Sequence, residues 1–432
     1  MERATKIREL LKVCKPLHLC GEDFDKFHVE TSTARGQNSA VRLFNYLDVN
    51  RDEPQKILFM GHRGSGKSTE LWQLRKLLGD DFRVIAFSIR DEIDISDLKY
   101  VDLIFVILNK IMDEALKDGV MIDKSLLDNL YNYWHNEQFI EQLKMEKVNA
   151  EASAEAKIGF FNAIRASVKG VLATGKETKK VVREFIEPKL SELITGTNDL
   201  ITNISQALME KGKMPILIIE DLDKLEIPVA EELFLNHRNI LTELKIHTIY
   251  TFPIFLHYSE KFNEIKDAFS HYELLSMIKV NNKDGSENKE GRKIIKEILK
   301  MRADIDLFEA EALDFIIEKS GGALRNLFEM IQRAALTIMG RSGADKIDMA
   351  AVKNAYTELK SDFERSIARR HQETLVNLYN NRDKKPLADG NLMELLYCLA
   401  VIEYNGDRWC DLHPAVIDIL KDKGLILDIA KR

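Results

Sequence analysis

The stretch Ile57-Leu58-Phe59-Met60-Gly61-His62-Arg63-Gly64-Ser65-Gly66-Lys67-Ser68-Thr69 decides the fold. Four apolar residues run into a glycine-rich loop that closes on Gly-Lys-Ser. The loop fits the pattern G-x-x-x-x-G-K-[ST], in which each position has a physical task. Glycines let backbone N–H groups wrap phosphates, and the following helix offers its positive N-terminus to the same anion. Lys67 is expected to reach the β- and γ-phosphates, and Ser68 to give its hydroxyl to Mg²⁺. The expected nucleotide-binding set is therefore Gly61, His62, Arg63, Gly64, Ser65, Gly66, Lys67, Ser68 and Thr69. His62 occupies a variable position and reads as filler.

Outward from the loop, Ile57–Met60 reads as a buried strand, Glu70–Leu78 as a helix and Val84–Ile89 as a second buried strand, the opening of a parallel α/β sheet. The next strand, Ile216–Ile219, comes more than 120 residues later, and Ile246–Phe252 is a fourth, ended by Pro253. A simple crossover needs only a few dozen residues. The interval therefore holds a largely helical insertion over about 120–212. Its helical stretches are Lys124–Leu143, Thr178–Leu193 and Asp199–Glu210, the last two interrupted by Pro188 and Gly196, after a helix at Asp97–Leu116. Phe255–Phe269 reads as a helix and Leu274–Val280 as a short apolar stretch. Beyond the polar segment Asn281–Gly291, helical periodicity recurs in Arg292–Met301, Phe308–Lys319, Leu324–Met339 and Met349–Leu359. The tail adds helices at Glu373–Tyr379, Leu392–Val401 and Pro414–Leu420, and a hairpin around Asn405-Gly406. The expected fold class is α/β. A P-loop NTPase core with a parallel sheet (27–290, carrying the insertion) follows an N-terminal helical extension (1–26). A helical lid (291–361) and a winged-helix-like C-terminal domain (362–432) complete the chain.

A phosphate loop also needs an acid at the end of a neighbouring strand to hold Mg²⁺ and orient water. Ile216-Leu217-Ile218-Ile219-Glu220-Asp221-Leu222-Asp223 supplies three candidates at a strand's carboxyl end. Glu220 or Asp221 would take the metal and the other would activate water. Asp223 is open to a structural role, pairing with a base or capping the next helix.

Four stretches then combine into a resemblance: GHRGSGKST, ILIIEDLDK, IHTIYTFP and SGGALRNLFEMIQRAA. Together they resemble AAA+ or STAND-type P-loop ATPases, nearest to the branch of origin-recognition initiators and transposition regulators. The resemblance spans about Phe27 to Leu359. It implies ATP as the nucleotide, Mg²⁺ as cofactor and a homo-oligomeric assembly. It also implies that Thr251 (or Tyr250) is a sensor of the γ-phosphate and that Arg325 is a second sensor reaching over from the helical domain. The family's usual acid order is Asp-Glu, and here it is Glu220-Asp221. No arginine occurs between Arg238 and Arg292, where the family's finger arginine tends to lie, so Arg238 is the substitute candidate. Arg35 stands where the family often contacts base or ribose; an exposed loop arginine is the alternative.

The whole chain of 432 residues has a formal net charge of -7, unlike a strongly basic nucleic-acid binder. Within it, Lys157 to Arg183 holds seven basic residues against the single acid Glu177, beside Phe160 and Phe161. That segment could meet nucleic acid, or an acidic protein surface such as Glu151 or Glu155 of another subunit. Membrane contact is the weaker option. The tail from Asp362 carries eleven basic residues against twelve acids, which suits protein docking or autoinhibition better than DNA reading. Trp409 is a contact residue with Arg408 or simply core. His413 reads as a helix-start residue. Four scattered cysteines, no signal-like N-terminus and no long apolar run point to a cytoplasmic protein without disulfides, zinc or a membrane span. The reading is a slow ATPase acting as a regulatory switch on a partner protein, effector or nucleic acid, in a setting such as bacterial antiviral defence or mobile-element biology. A DNA-loading ATPase gripping duplex through the insertion, and a non-hydrolysing scaffold, are the alternatives.

Overall fold

The computed structural model describes residues 1–120, 123, 125, 126, 128, 129, 159, 180, 183–381, 383, 385, 386, 388–405 and 409–427. Five strands, β1 (Lys56–Gly61), β2 (Phe82–Ser88), β3 (Met214–Glu220), β4 (His247–Pro253) and β5 (His271–Leu275), form one parallel sheet in the order β2-β3-β4-β1-β5. All carboxyl ends therefore open on the same edge. β1 lies inside the sheet with helices on both faces, so its sequence is an unbroken apolar run, as parallel strands covered on both sides require.

Alternation along the strands sorts their side chains into two layers. Ile57, Phe59, Ile216, Ile218 and Ile249 pack under the helices α2 (Ser39–Val49) and α3 (Lys67–Leu78). Leu58, Met60, Leu217, Ile219, Tyr250 and Phe252 face the other layer, which includes α4 (Tyr100–Lys117) and α5 (Leu190–Met209). This parity decides which strand-end residues can face the phosphate loop. Glu220 and Thr251 fall on the α3 side, whereas Tyr250 is fully buried on the other, its hydroxyl donating to the Leu241 carbonyl at 2.7 Å.

β5 is a strand that the sequence reading missed, since His-Tyr-Glu-Leu-Leu is not an apolar run. It sits at the sheet edge, and its Glu273 is 2% exposed. Arg42 from α2 contacts both Glu273 oxygens at 3.0 and 3.1 Å, and Gln37 donates to one of them at 3.0 Å, so the buried charge is matched. The helix expected over Phe255–Phe269 is two short ones, Ile254–His257 and Phe262–Ala268.

Much of the expected insertion, with the helix at Lys124–Leu143, lies outside the described residues. So do Glu151, Glu155, Phe160, Phe161 and five of the seven basic residues, from Lys157 to Lys179. Where the chain is described again, Pro188 sits in a one-turn 3₁₀ segment and α5 runs straight through Gly196 rather than breaking there. Leu193, Leu200, Ile201, Ile204 and Leu208 bury one face of that helix, and this packing outweighs the roughly 1 kcal/mol that a mid-helix glycine costs. Arg183 is no surface base: it is buried, with Nε 3.1 Å from Asp102 and Nη1 3.2 Å from Asp97.

After the sheet come α6 (Lys289–Arg302), α7 (Ala310–Lys319), α8 (Leu324–Met339) and α9 (Met349–Ser366). The helix α1 (Ile7–Val13) packs on α8, and Gln332 donates to the Leu11 carbonyl at 3.0 Å. The C-terminal module comprises α10 (Gln372–Asn380), α11 (Gly390–Tyr397), the hairpin of β6 (Val401–Asn405) and β7 (Trp409–Leu412), and α12 (Pro414–Asp422). Trp409 is core, its ring 5.1 Å from that of Tyr404. Arg408 lies outside the described residues.

Removing one member of a buried ion pair leaves an unmatched charge. Arg183→Met should therefore lower unfolding free energy by about 3 kcal/mol, read from urea denaturation, whereas Lys180→Met, at an exposed pair, should change it by less than about 0.5 kcal/mol.

Candidate nucleotide site

The phosphate loop leaves β1 at Gly61 and enters α3 at Lys67. Gly64 and Gly66 hold φ of 79° and 102°, a region that side chains disfavour. Space is as decisive as conformation: a Cβ on Gly64 would stand 2.7 Å from the Arg325 Cβ. The start of α8 thus rests on the loop, and Arg325 faces the loop from the helical group.

α8 reaches that position through Gly321 and Gly322. Their φ values are 61° and 83°, and a Cβ on Gly322 would lie 1.8 Å from the Ile278 carbonyl oxygen. Only a glycine lets the segment come so close to the backbone after β5.

Lys67 is buried and held by three acceptors: the carbonyls of Gly61 and His62 at 2.7 and 2.9 Å, and Asp223 at 2.9 Å. Burial lowers its affinity for a proton and Asp223 opposes that shift. Asp223 is therefore the partner of the loop lysine. Asp221 lines the cavity between the loop and α8, with its carboxylate engaged. Its φ is 71°, it accepts from Ser88 Oγ at 2.8 Å, and it pairs with Lys224 at 2.5 Å. Despite its burial, Lys224 and Ser88 hold the Asp221 carboxyl below its ordinary range.

Glu220 stands differently. Burial raises its carboxyl, Asp221 and Asp223 add to the rise, and a hydrogen bond from the Ser68 hydroxyl opposes it. A hydroxyl and a half-buried, acid-flanked carboxylate side by side form a donor set for a hard divalent cation. Mg²⁺ typically takes one or two protein oxygens and completes its shell with phosphate and water. No cluster of three or more His, Cys, Asp or Glu able to hold a metal occurs among the described residues.

Thr251 is buried. Its hydroxyl donates to the Ile219 carbonyl at 3.1 Å and accepts from the Leu222 amide at 3.0 Å. In this arrangement it braces the turn that aims Glu220 and Asp221, and it also lines the cavity. That cavity, of about 220 Å³, runs between the loop and α8. Lys67, Ser68, Asp221, Asp223 and Thr251 line it, together with Pro16, Leu17, His18, Arg302 and Phe328. The Nε atoms of Arg302 and Arg325 are buried without a hydrogen-bond partner among the described residues, so two guanidinium groups keep a donor available along the cavity wall. Leu19 N donates to Thr69 Oγ1 at 3.2 Å, tying the N-terminal strap across the first turn of α3.

Two expected site residues lie elsewhere. Arg35 is neither an exposed loop residue nor part of the cavity wall. It is 5% exposed, donates to the Ser65 carbonyl at 2.6 Å, to Thr31 Oγ1 at 2.9 Å and to the Ser276 carbonyl, and so props the loop from beneath. Burial lowers its pKa to about 10. Arg238 pairs with Glu264 at 3.5 Å, away from the cavity.

His62 is not filler. It is buried, and its Nε2 accepts from the Glu403 amide of β6 at 2.8 Å. Next to it, the Arg63 guanidinium lies 4.1 Å from the centre of the Tyr397 ring and donates to the Lys224 carbonyl at 2.9 Å. No sequence signal marks these contacts, because Glu403 and Tyr397 lie more than 300 residues away and Lys224 lies 161 residues away. The cavity residues Pro16 to His18 and Arg302 are likewise distant in the chain and carry no motif.

Burial lowers the pKa of His62, and likewise that of His413, to about 3. His413 caps α12 by accepting from the Ala415 amide at 3.1 Å. Unfolded histidine takes a proton near pH 6.5 and these two do not, so stability is full above that pH and falls as the solution is acidified towards 3. Below about pH 5.5 each should contribute a slope of about 1.4 kcal/mol per pH unit. His413→Asn, which keeps a capping oxygen, should flatten the slope by one such increment in urea titrations between pH 5.5 and 4.5.

Compared with known proteins, the chain matches no protein-family model and no curated protein. Among solved structures it is similar to Cdc6p from Pyrobaculum aerophilum, with 10% identity, 96% of this chain and 98% of that chain covered, and a TM-score of 0.43. It is similar also to an Aeropyrum pernix Orc1 protein in complex with DNA (11% identity, 96% and 97% covered, TM-score 0.40). A third is the Thermotoga maritima RuvB Holliday junction branch migration motor (12% identity, 96% and 100% covered, TM-score 0.38).

Proposed function

We propose that this chain is a magnesium-dependent ATPase that works as a slow regulatory switch. One observation carries the reading. A phosphate loop at the end of β1, with Ser68 hydrogen-bonded to Glu220, the acids Asp221 and Asp223 after β3, and Arg325 from a separate helical group meet around one cavity, which Ser68, Asp221, Asp223 and Arg325 line. The loop amides and Lys67 would bind the phosphates, and Mg²⁺ held at Ser68 and Glu220 would neutralise their charge. Arg325, beside Gly64 and on the cavity wall, would pair with the terminal phosphate, and closure of the helical group against the sheet would then depend on that phosphate. Within this reading residues 291–361 act as the lid.

Roles divide by environment. Glu220 is the metal-side acid. Asp221 is committed to Ser88 and Lys224 and is the weaker candidate for water activation. Thr251 acts by bracing the turn at the end of β3 as well as by facing the cavity. Arg238, outside the cavity of its own chain, would meet nucleotide only across a subunit boundary, and the homo-oligomer is part of this proposal. Adenine is the proposed base on the family resemblance. The strap at Pro16 to His18 with Arg302 and Phe328 would enclose it.

The DNA-loading alternative loses one of its supports, because Arg183 is committed to Asp97 and Asp102 inside the protein. The partner proposed here is accordingly a protein or effector.

Titration with fluorescent ATP and steady-state phosphate release test the assignment. Lys67→Ala should abolish binding. Glu220→Gln should keep binding and lower turnover on the order of 10²-fold, and Asp221→Asn should lower it less. Equal loss in both acid variants would overturn the division of roles. Identical mass and shape with ATP and with ADP, measured by light scattering, would overturn the switch.

A further inference from the structure

Two of the four P-loop residues that the phosphate-binding pattern leaves unconstrained, His62 and Arg63, are occupied by the C-terminal module. His62 Nε2 accepts the Glu403 amide, and the Arg63 guanidinium lies on the Tyr397 ring. Neither contact is incidental to a loose interface. Tyr397 also meets Phe255 edge-on at 5.7 Å, and Met277 N donates to the Glu403 carbonyl at 3.3 Å. Tyr258 and Cys410 are hydrogen-bonded at 3.0 Å, and Tyr404 donates to the Gly321 carbonyl at 2.9 Å. The module therefore rests on the loop, on the segments following β4 and β5, and on the glycine pair that seats α8.

Each of the two residues stands one covalent or hydrogen-bonded step from the phosphate machinery. The carbonyl of His62 is an acceptor of Lys67. Arg63 holds the Lys224 carbonyl, and the Lys224 side chain pairs with Asp221. Neutral imidazole suits the role, since a protonated ring would have no lone pair to accept the Glu403 amide. Burial keeps it neutral.

We infer that His62 and Arg63 are positioning residues that couple the C-terminal module to the phosphate loop, so that the docked module strengthens nucleotide binding and bound nucleotide strengthens docking. The inference rests on the nucleotide reading above. A glycine-rich loop loses much backbone freedom when it closes on phosphate. A loop already gripped at two of its free positions loses less, and affinity rises by that difference. Coupling of this kind is reciprocal: the factor by which the module aids the nucleotide is the factor by which the nucleotide aids the module. The module is then the part of the chain through which a partner that pulls on β6 and β7 would loosen the nucleotide.

The test uses the full chain, Mg·ATP, and the variants Tyr397→Phe and Tyr397→Leu. Phe keeps the aromatic face for Arg63, and Leu keeps apolar bulk without it. The expected result is a dissociation constant for ATP unchanged within twofold in Tyr397→Phe and raised about 3- to 10-fold in Tyr397→Leu, in line with the loss of a partly buried cation–π contact. In the same samples, hydrogen exchange at the Glu403 amide should slow by a similar factor when Mg·ATP is added to the wild type, and by less in Tyr397→Leu. Thermal melting identifies a Leu variant that is merely unfolded, and Arg63→Met then replaces it with the same expectation. Unchanged ATP affinity in the Leu and Met variants, with exchange at Glu403 indifferent to ATP, overturns the coupling and leaves the nucleotide site standing. Tighter ATP binding in those variants overturns it as well, because the sign is reversed. A wild type that binds no ATP removes the nucleotide reading and this inference together.

Discussion

A lysine buried beside a phosphate loop sets the terms for everything around it. Lys67 is almost fully removed from solvent, and an unmatched ammonium in that position would cost several kcal/mol. The charge is met by Asp223 and by the carbonyls of Gly61 and His62. These contacts link the loop after β1 to the turn after β3. Through them the end of one strand fixes the end of another, although β4 lies between them in the sheet. Thr251, on that intervening strand, braces the same turn, where Glu220 is bonded by Ser68 and Asp221 is engaged by Ser88 and Lys224.

The loop itself is held from several sides by residues with nothing in common in sequence. Arg35 supports it from below, α8 rests on Gly64, and the C-terminal module occupies His62 and Arg63. Such a loop is less free to rearrange than its glycines alone would suggest. The glycines here serve close approach as much as flexibility.

What was legible in the sequence follows from locality. β1 and β3 were visible as uninterrupted apolar runs because a strand covered on both faces cannot alternate, and Ser68 and Glu220 were visible because motif spacing is local. β5 was hidden, because a single edge strand can carry a glutamate once Arg42 of α2 and Gln37 just before it arrive to match it. Gly196 looked like a break because propensity is local, and the burial that overrides it is not. Arg183 looked like part of a basic face because its two acids lie some 80 residues upstream. Arg35 and His62 were misread for the same reason. Their environments are made by Ser65 and Ser276 in one case and by β6 in the other, and no window of sequence contains both halves.

The packing of α1 on α8 has a consequence for the order in which this protein comes into being. Gln332 and Leu11, whose hydrogen bond joins the two helices, are 321 residues apart. At a synthesis rate of roughly 5 to 20 residues per second, the first helix waits about 15 to 60 seconds for its partner to leave the ribosome. During that interval the sheet can form while the strap at Pro16 to His18 has no α8 to lie against, and Phe328 and Arg325 have yet to appear. The cleft therefore closes only after α8 has emerged, with the C-terminal module still to be made. A nucleotide that bridges sheet and helical group would meet a finished pocket only once nearly the entire core has been made.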